Sequence, residues 1–210
     1  MENLQEKLIV SRETLSELQL YQSMLVDWQN KVNLVSKKSL SCAWERHFLD
    51  SAQLYKYIPV TAEKIIDFGS GAGFPALVLA IMSKKRTPYL NFVAVESITK
   101  KTVFLKEVCS RLQLKVRIEN QRIELLPTEK FDVITSRAMC SLDKLLGYSL
   151  RFCQQNTICI FPKGKTFEEE ILEAKKNYRF NCQIEQNLLS DEGKILIITD
   201  IKSLRREKYA

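Results

Sequence analysis

The sequence has one histidine, His47, and none of its six cysteines forms a Cys-x-x-Cys pair. A zinc site draws on clustered thiolates and imidazoles, so no metal is expected, and the scattered cysteines read as small buried apolar residues of a reducing compartment. Long apolar runs are missing too. The longest, Ala76 to Met82, falls far short of the roughly 20 residues of a membrane helix. The first residues, Met1 to Lys7, are polar and partly acidic, with no secretory pattern. A cytoplasmic protein is expected, and nothing in the sequence calls for more than a monomer. Repeats, low-complexity stretches and linkers are absent as well.

Positive charge is plentiful. The net charge is +7, with basic residues at Lys84-Lys85-Arg86, Lys100-Lys101, Arg111, Lys115, Arg117 and Arg122, then at Arg205-Arg206 and Lys208. Such a field attracts an anionic polymer such as RNA, in a manner weakened by salt.

Residues 1–60 read as a helical extension. Leu18, Tyr21, Leu25, Trp28 and Val32 recur at alternating spacings of three and four, placing them on one helix face. Thr14 with Glu17 suggests a capping box, in competition with a start at Ser11. A second helical run extends from about Ser41 to before Pro59. Residues 61–210 alternate between short apolar runs and helix-length segments. Strands are expected at Lys64–Phe68, Asn91–Glu96, Val116–Glu119, Phe131–Thr135, Thr157–Phe161, Cys182–Leu188 and Lys194–Ile201. Helices are expected at Pro75–Lys84, Lys100–Leu112, Leu142–Cys153 and Phe167–Lys176. This is an α/β pattern of βαβ units: a mostly parallel seven-stranded sheet covered by helices, with the last two strands as an antiparallel hairpin.

The strand Lys64–Phe68 runs straight into Gly69-Ser70-Gly71-Ala72-Gly73. In such sheets ligands bind beyond the carboxyl ends of the strands, where strand order reverses. Glycines let the backbone approach a ligand, and the following helix offers free N–H groups. That suits a dinucleotide or S-adenosylmethionine. The dinucleotide fingerprint needs a third glycine at position 74, where this chain has Phe74, a side chain that would crowd a pyrophosphate. Glu96, closing the second strand, is suited to accept hydrogen bonds from both ribose hydroxyls. Strand, G-x-G-x-G, helix, strand and terminal acid in that order point to a Rossmann-like S-adenosylmethionine-dependent methyltransferase. Asp67, an acid in a buried strand, needs hydrogen bonds, most simply from the glycine-loop amides.

Motifs along the chain carry a closer likeness. Trp28-Gln29-Asn30-Lys31-Val32-Asn33-Leu34, Arg46-His47-Phe48-Leu49-Asp50-Ser51, the glycine loop, Phe131-Asp132-Val133-Ile134-Thr135-Ser136-Arg137-Ala138 and Pro162-Lys163-Gly164-Lys165 stand in that order. Together they resemble the bacterial 16S ribosomal RNA guanine-N7 methyltransferases, the glucose-inhibited division protein B family, over nearly the whole chain. The resemblance implies methyl transfer from S-adenosylmethionine to a guanine in the decoding-region loop of 16S RNA, in the 30S subunit or an assembly intermediate. It implies cofactor contacts at Gly69 and Phe74, beside Ser70, Gly71, Gly73 and Glu96, and at Ile123 and Glu124, near the adenine. Arg137 matches a family residue beside the methyl-transfer site, in reach of cofactor and RNA. Ser136, Lys163 and His47 are the further RNA-side positions. The chain departs from the family at Ala76 and near Thr99, where glycines are common.

Guanine N7 carries a free in-plane lone pair, so methyl transfer needs no general base, in keeping with the sparse inventory of catalytic side chains. The planar fork of Arg137 suits guanine O6 or a phosphate, against the alternative of an ion pair with Asp132 or Asp143. His47 is either a site residue or a hydrogen-bonded packing residue. The competing functions are a small-molecule methyltransferase on the same fold and a non-catalytic RNA-binding assembly factor.

Overall fold

Runs of β-branched and aromatic residues alternate with helices to build one seven-stranded sheet, as seen in a computed structural model that describes residues 10–204. The strands are β1 (Lys64–Phe68), β2 (Asn91–Val95), β3 (Val116–Glu119), β4 (Phe131–Ser136), β5 (Cys153–Lys163), β6 (Tyr178–Gln186) and β7 (Lys194–Ser203). Their order is β3-β2-β1-β4-β5-β7-β6. Strands β1 to β5 pair in parallel, and β7 runs antiparallel between β5 and β6. Strand order reverses between β1 and β4, so a crevice opens beyond their carboxyl ends. The basic residues Arg205, Arg206 and Lys208, and the polar start at Met1–Lys7, lie outside the described residues.

Helix α1 (Arg12–Gln29) starts at Ser11, not at the Thr14–Glu17 box, because the Ser11 hydroxyl accepts from the Thr14 amide at 3.2 Å. Its apolar face is as expected: Leu18, Tyr21 and Leu25 are fully buried. The helix stops at Gln29, whose carboxamide oxygen accepts from the Leu34 and Val35 amides, each at 3.1 Å. That side chain serves the backbone of the following loop, so Val32 reaches the core from outside the helix.

The second helical segment is broken. A short α2 (Lys37–Leu40) precedes a π-helical turn, Trp44–Leu49, then α3 (Asp50–Ala52) and a 3₁₀ turn, Gln53–Tyr57. The remaining helices are α4 (Ala76–Arg86), α5 (Thr99–Leu112), α6 (Leu142–Phe152) and α7 (Phe167–Lys175), with a 3₁₀ turn at Ile123–Leu125. Leu18, Tyr21 and Phe48 of the N-terminal segment share one apolar cluster with Phe74, Leu77 and Phe104. Burying those side chains together stabilises the extension against α4 and α5.

Strand ends differ from the expected ones at β5 and β6. The ladder of β5 begins at Cys153, through the polar stretch Gln154–Asn156, with a register shift opposite Phe131/Val133. Strand β6 lies at the sheet edge and ends at Gln186, because Asn187 and Leu188 leave to bond the N-terminal segment. No helix among the described residues is long and apolar enough to cross a membrane.

Candidate active site

The glycine loop leaves β1 through a series of positive φ angles: 67° at Gly69, 59° at Gly71 and 97° at Gly73. Ser70 ties it to the sheet, its amide donating to the Val95 carbonyl at 2.9 Å, and its hydroxyl is buried against the Asp67 carbonyl. Over Gly71 the space is open. A Cβ there would meet only the Gly69 carbonyl, at 3.9 Å. Gly69 lies under the side chain of Met139, whose Cγ would be 3.0 Å from an added Cβ.

Glu96 braces this loop, accepting from the Gly71 amide at 3.0 Å and from the Ile98 amide at 2.7 Å. Each carboxylate oxygen keeps further lone-pair capacity for a ribose hydroxyl. Asp67 takes no loop amide, contrary to expectation. Its Oδ1 accepts from the Thr135 hydroxyl at 2.7 Å, while Oδ2 is buried without a partner. The open cradle at Gly71 and these acceptors fit the amino-acid and ribose portions of S-adenosylmethionine.

Burial pushes the Asp67 pKa up to about 6, against the pull of the nearby hydroxyls and Arg137. A folded pKa above the ordinary 3.8 means that this group's stabilisation is complete below the ordinary value and lost as pH rises through about 6. The expected loss is roughly 3 kcal/mol. Urea unfolding of Asp67→Asn and wild type should therefore diverge between about pH 4 and pH 6, the variant gaining relative stability, and run parallel above. Curves parallel throughout would show that Asp67 is not held as described.

Phe74 does not offer its ring as an open cofactor wall. It is 3% exposed, stacked between Tyr21 (5.4 Å between centroids, 19°) and His47 (5.0 Å, 22°). The Tyr21 hydroxyl donates to the Ala72 carbonyl, so α1 grips the loop directly. Tyr21 read from sequence only as a core position; periodicity identifies a buried face and not a hydroxyl's partner.

Arg137 follows β4 and reaches across to the N-terminal segment. Its Nη1 donates to the Arg46 carbonyl at 2.9 Å and pairs with Asp50 at 3.5 Å, and its Nη2 meets His47 Nδ1 at 2.9 Å. The guanidinium also sits 5.4 Å from the Phe74 ring centroid. Its Nε–H and second Nη2–H keep no partner among the described residues. Asp132 and Asp143 are not its partners: Asp132 accepts from the Glu63 and Lys64 amides, and Asp143 from Asn177.

Asp50, missed by sequence reasoning, also joins the β6–β7 loop. It accepts from Asn187 Nδ2 at 3.1 Å, Gln53 Nε2 donates to Asn187 Oδ1 at 3.1 Å, and the Leu188 amide donates to Gln53 Oε1 at 2.9 Å. These segments enclose a cavity of about 690 Å³, walled in part by His47, Asp50, Arg137, Lys163 and Asn187. That volume lies in the range of roughly 300–1,000 Å³ typical of small-molecule sites.

Two RNA-side expectations change. The Ser136 hydroxyl is turned inward, donating to the Phe68 carbonyl at 2.9 Å, and the residue is 1% exposed, so it clamps β4 to β1. Lys163 lines the cavity, but its ammonium is bound to Glu170 at 2.7 Å and the Cys140 carbonyl at 2.8 Å. Glu170 also accepts from the Leu142 amide, capping α6. Ile123 is buried in the core, and Glu124 receives the Tyr148 hydroxyl at 2.9 Å. Arg151 secures this turn by donating to the Glu124 and Leu126 carbonyls.

A family model described as "GidB: rRNA small subunit methyltransferase G" matches residues 14–198. A ribosomal RNA small subunit methyltransferase G from Paramagnetospirillum magneticum is 38% identical, covering 98% of both chains. One from Ruegeria sp. is 36% identical, covering 95% of this chain and 96% of its own. Among solved structures, a SAM-dependent methyltransferase from Aquifex aeolicus aligns with TM-score 0.56 at 15% identity, covering 74% of this chain and 90% of its own. That likeness shows the S-adenosylmethionine-dependent methyltransferase fold, and the sequence matches show more: the chain belongs to the family of rRNA small subunit methyltransferase G.

Proposed function

We propose that this protein methylates N7 of a guanine in the decoding-region loop of 16S ribosomal RNA. The substrate is the 30S subunit or an assembly intermediate, and the enzyme acts as a cytoplasmic monomer. The observation that carries the reading is Arg137, fixed on the wall of a cavity of about 690 Å³ with spare N–H donors at the carboxyl end of β4. When bound, S-adenosylmethionine supplies a methyl group made electrophilic by its sulfonium.

The protein's own residues hold and align. Glycines at 69, 71 and 73, braced by Glu96 and Tyr21, form the cradle for the methyl donor. Arg137, with its spare donors, meets O6 of the base or an adjacent phosphate. Because N7 needs no deprotonation, no side chain has to move a proton before transfer. Alignment alone can contribute roughly 7–11 kcal/mol. N7 lies on the major-groove edge, inaccessible to side chains in A-form RNA, so the guanine must enter splayed from its stack. The net charge of +7 favours the polyanion.

The decisive measurement is mass spectrometry of 16S RNA from cells with and without the gene. One N7-methylguanine should vanish, and the purified protein with S-adenosylmethionine should restore it on isolated 30S particles. Retention of every N7-methylguanine would refute the guanine-N7 assignment. Labelling of small phenols or amines, and not of 30S particles, would favour a small-molecule methyltransferase.

A further inference from the structure

The three glycines of the methyl-donor loop are covered differently. Tyr21 and Leu77, both fully buried, close Gly73, while the space over Gly71 is open. Gly69 lies under one side chain, that of Met139. A Cβ added at Gly69 would stand 3.0 Å from Met139 Cγ, 3.2 Å from its Sδ and 3.4 Å from its Cβ. Met139 also lines the acceptor cavity. It therefore stands where the donor loop and the cavity meet.

The backbone on either side of Met139 is fixed. The Ser136 hydroxyl donates to the carbonyl of Phe68, the residue before Gly69, and Arg137 is tied to the Arg46 carbonyl and Asp50. Ala138 then takes a φ of 52°. Few residues other than glycine adopt that left-handed conformation, and it persists only where the surroundings impose it. Beyond Met139, the Cys140 carbonyl accepts from Lys163 at 2.8 Å. The turn at Ala138 thus lays the Met139 side chain back over Gly69. That side chain is 37% exposed, so a ligand can reach it. Its three rotatable bonds and polarisable sulfur let it mould to a ligand's outline, where a branched side chain would hold one shape.

We propose that Met139 is a contact of the methyl donor: its thioether packs on the sulfonium end of S-adenosylmethionine and keeps the reactive methyl turned toward the acceptor cavity. The Cβ position at the open Gly71 is 3.9 Å from the Gly69 carbonyl, so a ligand seated on Gly71 has Met139 at its flank. A methyl on a positively charged sulfur is electron-poor. A thioether sulfur is a weak, polarisable acceptor without charge, and it can lie against that methyl where water would otherwise stand. The proposal depends on the donor site alone and not on the identity of the acceptor.

The test compares S-adenosylmethionine with S-adenosylhomocysteine, which lacks only the methyl group and the positive charge. In calorimetric titrations of the full-length protein, Met139→Ala should weaken S-adenosylmethionine by about three- to five-fold, the worth of burying one methyl-sized group. S-adenosylhomocysteine should stay within about two-fold of wild type. A purely structural role would move both ligands alike, and equal changes overturn the proposal. A second measurement needs no substitution in the protein that binds. The chain has four methionines, and in ¹³C-methyl-methionine spectra the Met139 signal is identified by its loss in Met139→Leu. It should move on saturation with S-adenosylmethionine and take a different position with S-adenosylhomocysteine. A Met139 signal unmoved by S-adenosylmethionine also overturns the proposal. Absence of any binding of S-adenosylmethionine by wild type overturns the donor site itself, and this proposal with it. No RNA enters either measurement, so failure of the guanine-N7 reading leaves both results standing.

Discussion

Replacing Gly73 with alanine should lower stability by about 2–5 kcal/mol and abolish measurable binding of S-adenosylmethionine. The residue has φ of 97°, a conformation L side chains rarely adopt, and an added Cβ would stand 2.5 Å from the Tyr21 hydroxyl and 2.7 Å from Leu77 Cδ1. Neither neighbour yields cheaply. The Tyr21 hydroxyl is bonded to the Ala72 carbonyl, and Leu77 is fully buried at the start of α4. Relief of the clash thus breaks the contact that fixes the loop. Gly71→Ala separates strain from occupancy. Its Cβ meets only a carbonyl at 3.9 Å, so thermal stability should fall less, while the methyl group projects into the open cradle and weakens cofactor binding. Denaturation midpoints and calorimetric titration with S-adenosylmethionine decide between these outcomes. An unchanged midpoint in Gly73→Ala would mean that the grip of Tyr21 on the loop is looser than described.

Arg137→Lys should reduce kcat/KM for methyl transfer to 30S particles by at least about 100-fold, near 3 kcal/mol in transition-state stabilisation. An ammonium is a single point and cannot engage the Arg46 carbonyl, Asp50 and His47 together while still presenting donors to a base. Binding of S-adenosylmethionine should change far less, since the glycine loop is braced by Glu96 and Tyr21. The salt dependence of RNA binding by Arg137→Gln, which removes the charge that lysine would keep, then identifies the contact. A base-edge partner leaves the slope of log K against log salt unchanged, whereas a phosphate partner reduces it by about 1. Activity within a few-fold of wild type would remove Arg137 from the site.

The parts of this site that local sequence pattern reveals are those made by neighbours in the chain. The glycine loop is a strand followed at once by residues that tolerate positive φ, and Glu96 and Arg137 stand at strand ends that face the crevice by topology alone. Pattern alone does not reveal the side chains that act across the fold. Tyr21 reaches Ala72, Asp50 reaches Arg137 and Asn187, and Glu170 reaches Leu142; each reads locally as a core aromatic, a helix-start acid or a solvated charge. Ser136 misleads for the opposite reason. It adjoins Arg137 in sequence, but neighbouring strand residues point to opposite sides, and its hydroxyl faces β1. The π turn at Trp44–Leu49 is likewise hidden, because over so few residues its apolar spacing cannot be told from that of an ordinary helix.

The clasp of Gln53 and Asp50 on Asn187 also orders events during synthesis. Translation runs from the amino end, and segments already outside the ribosome fold first. Tyr21 and Glu96, the side chains that bond the methyl-donor loop directly, are made early. The acceptor cavity, in contrast, closes only when Asn187 has left the exit tunnel. The direct braces of the donor loop are thus in place before there is any place for a base, and methyl transfer waits for Asn187 to emerge.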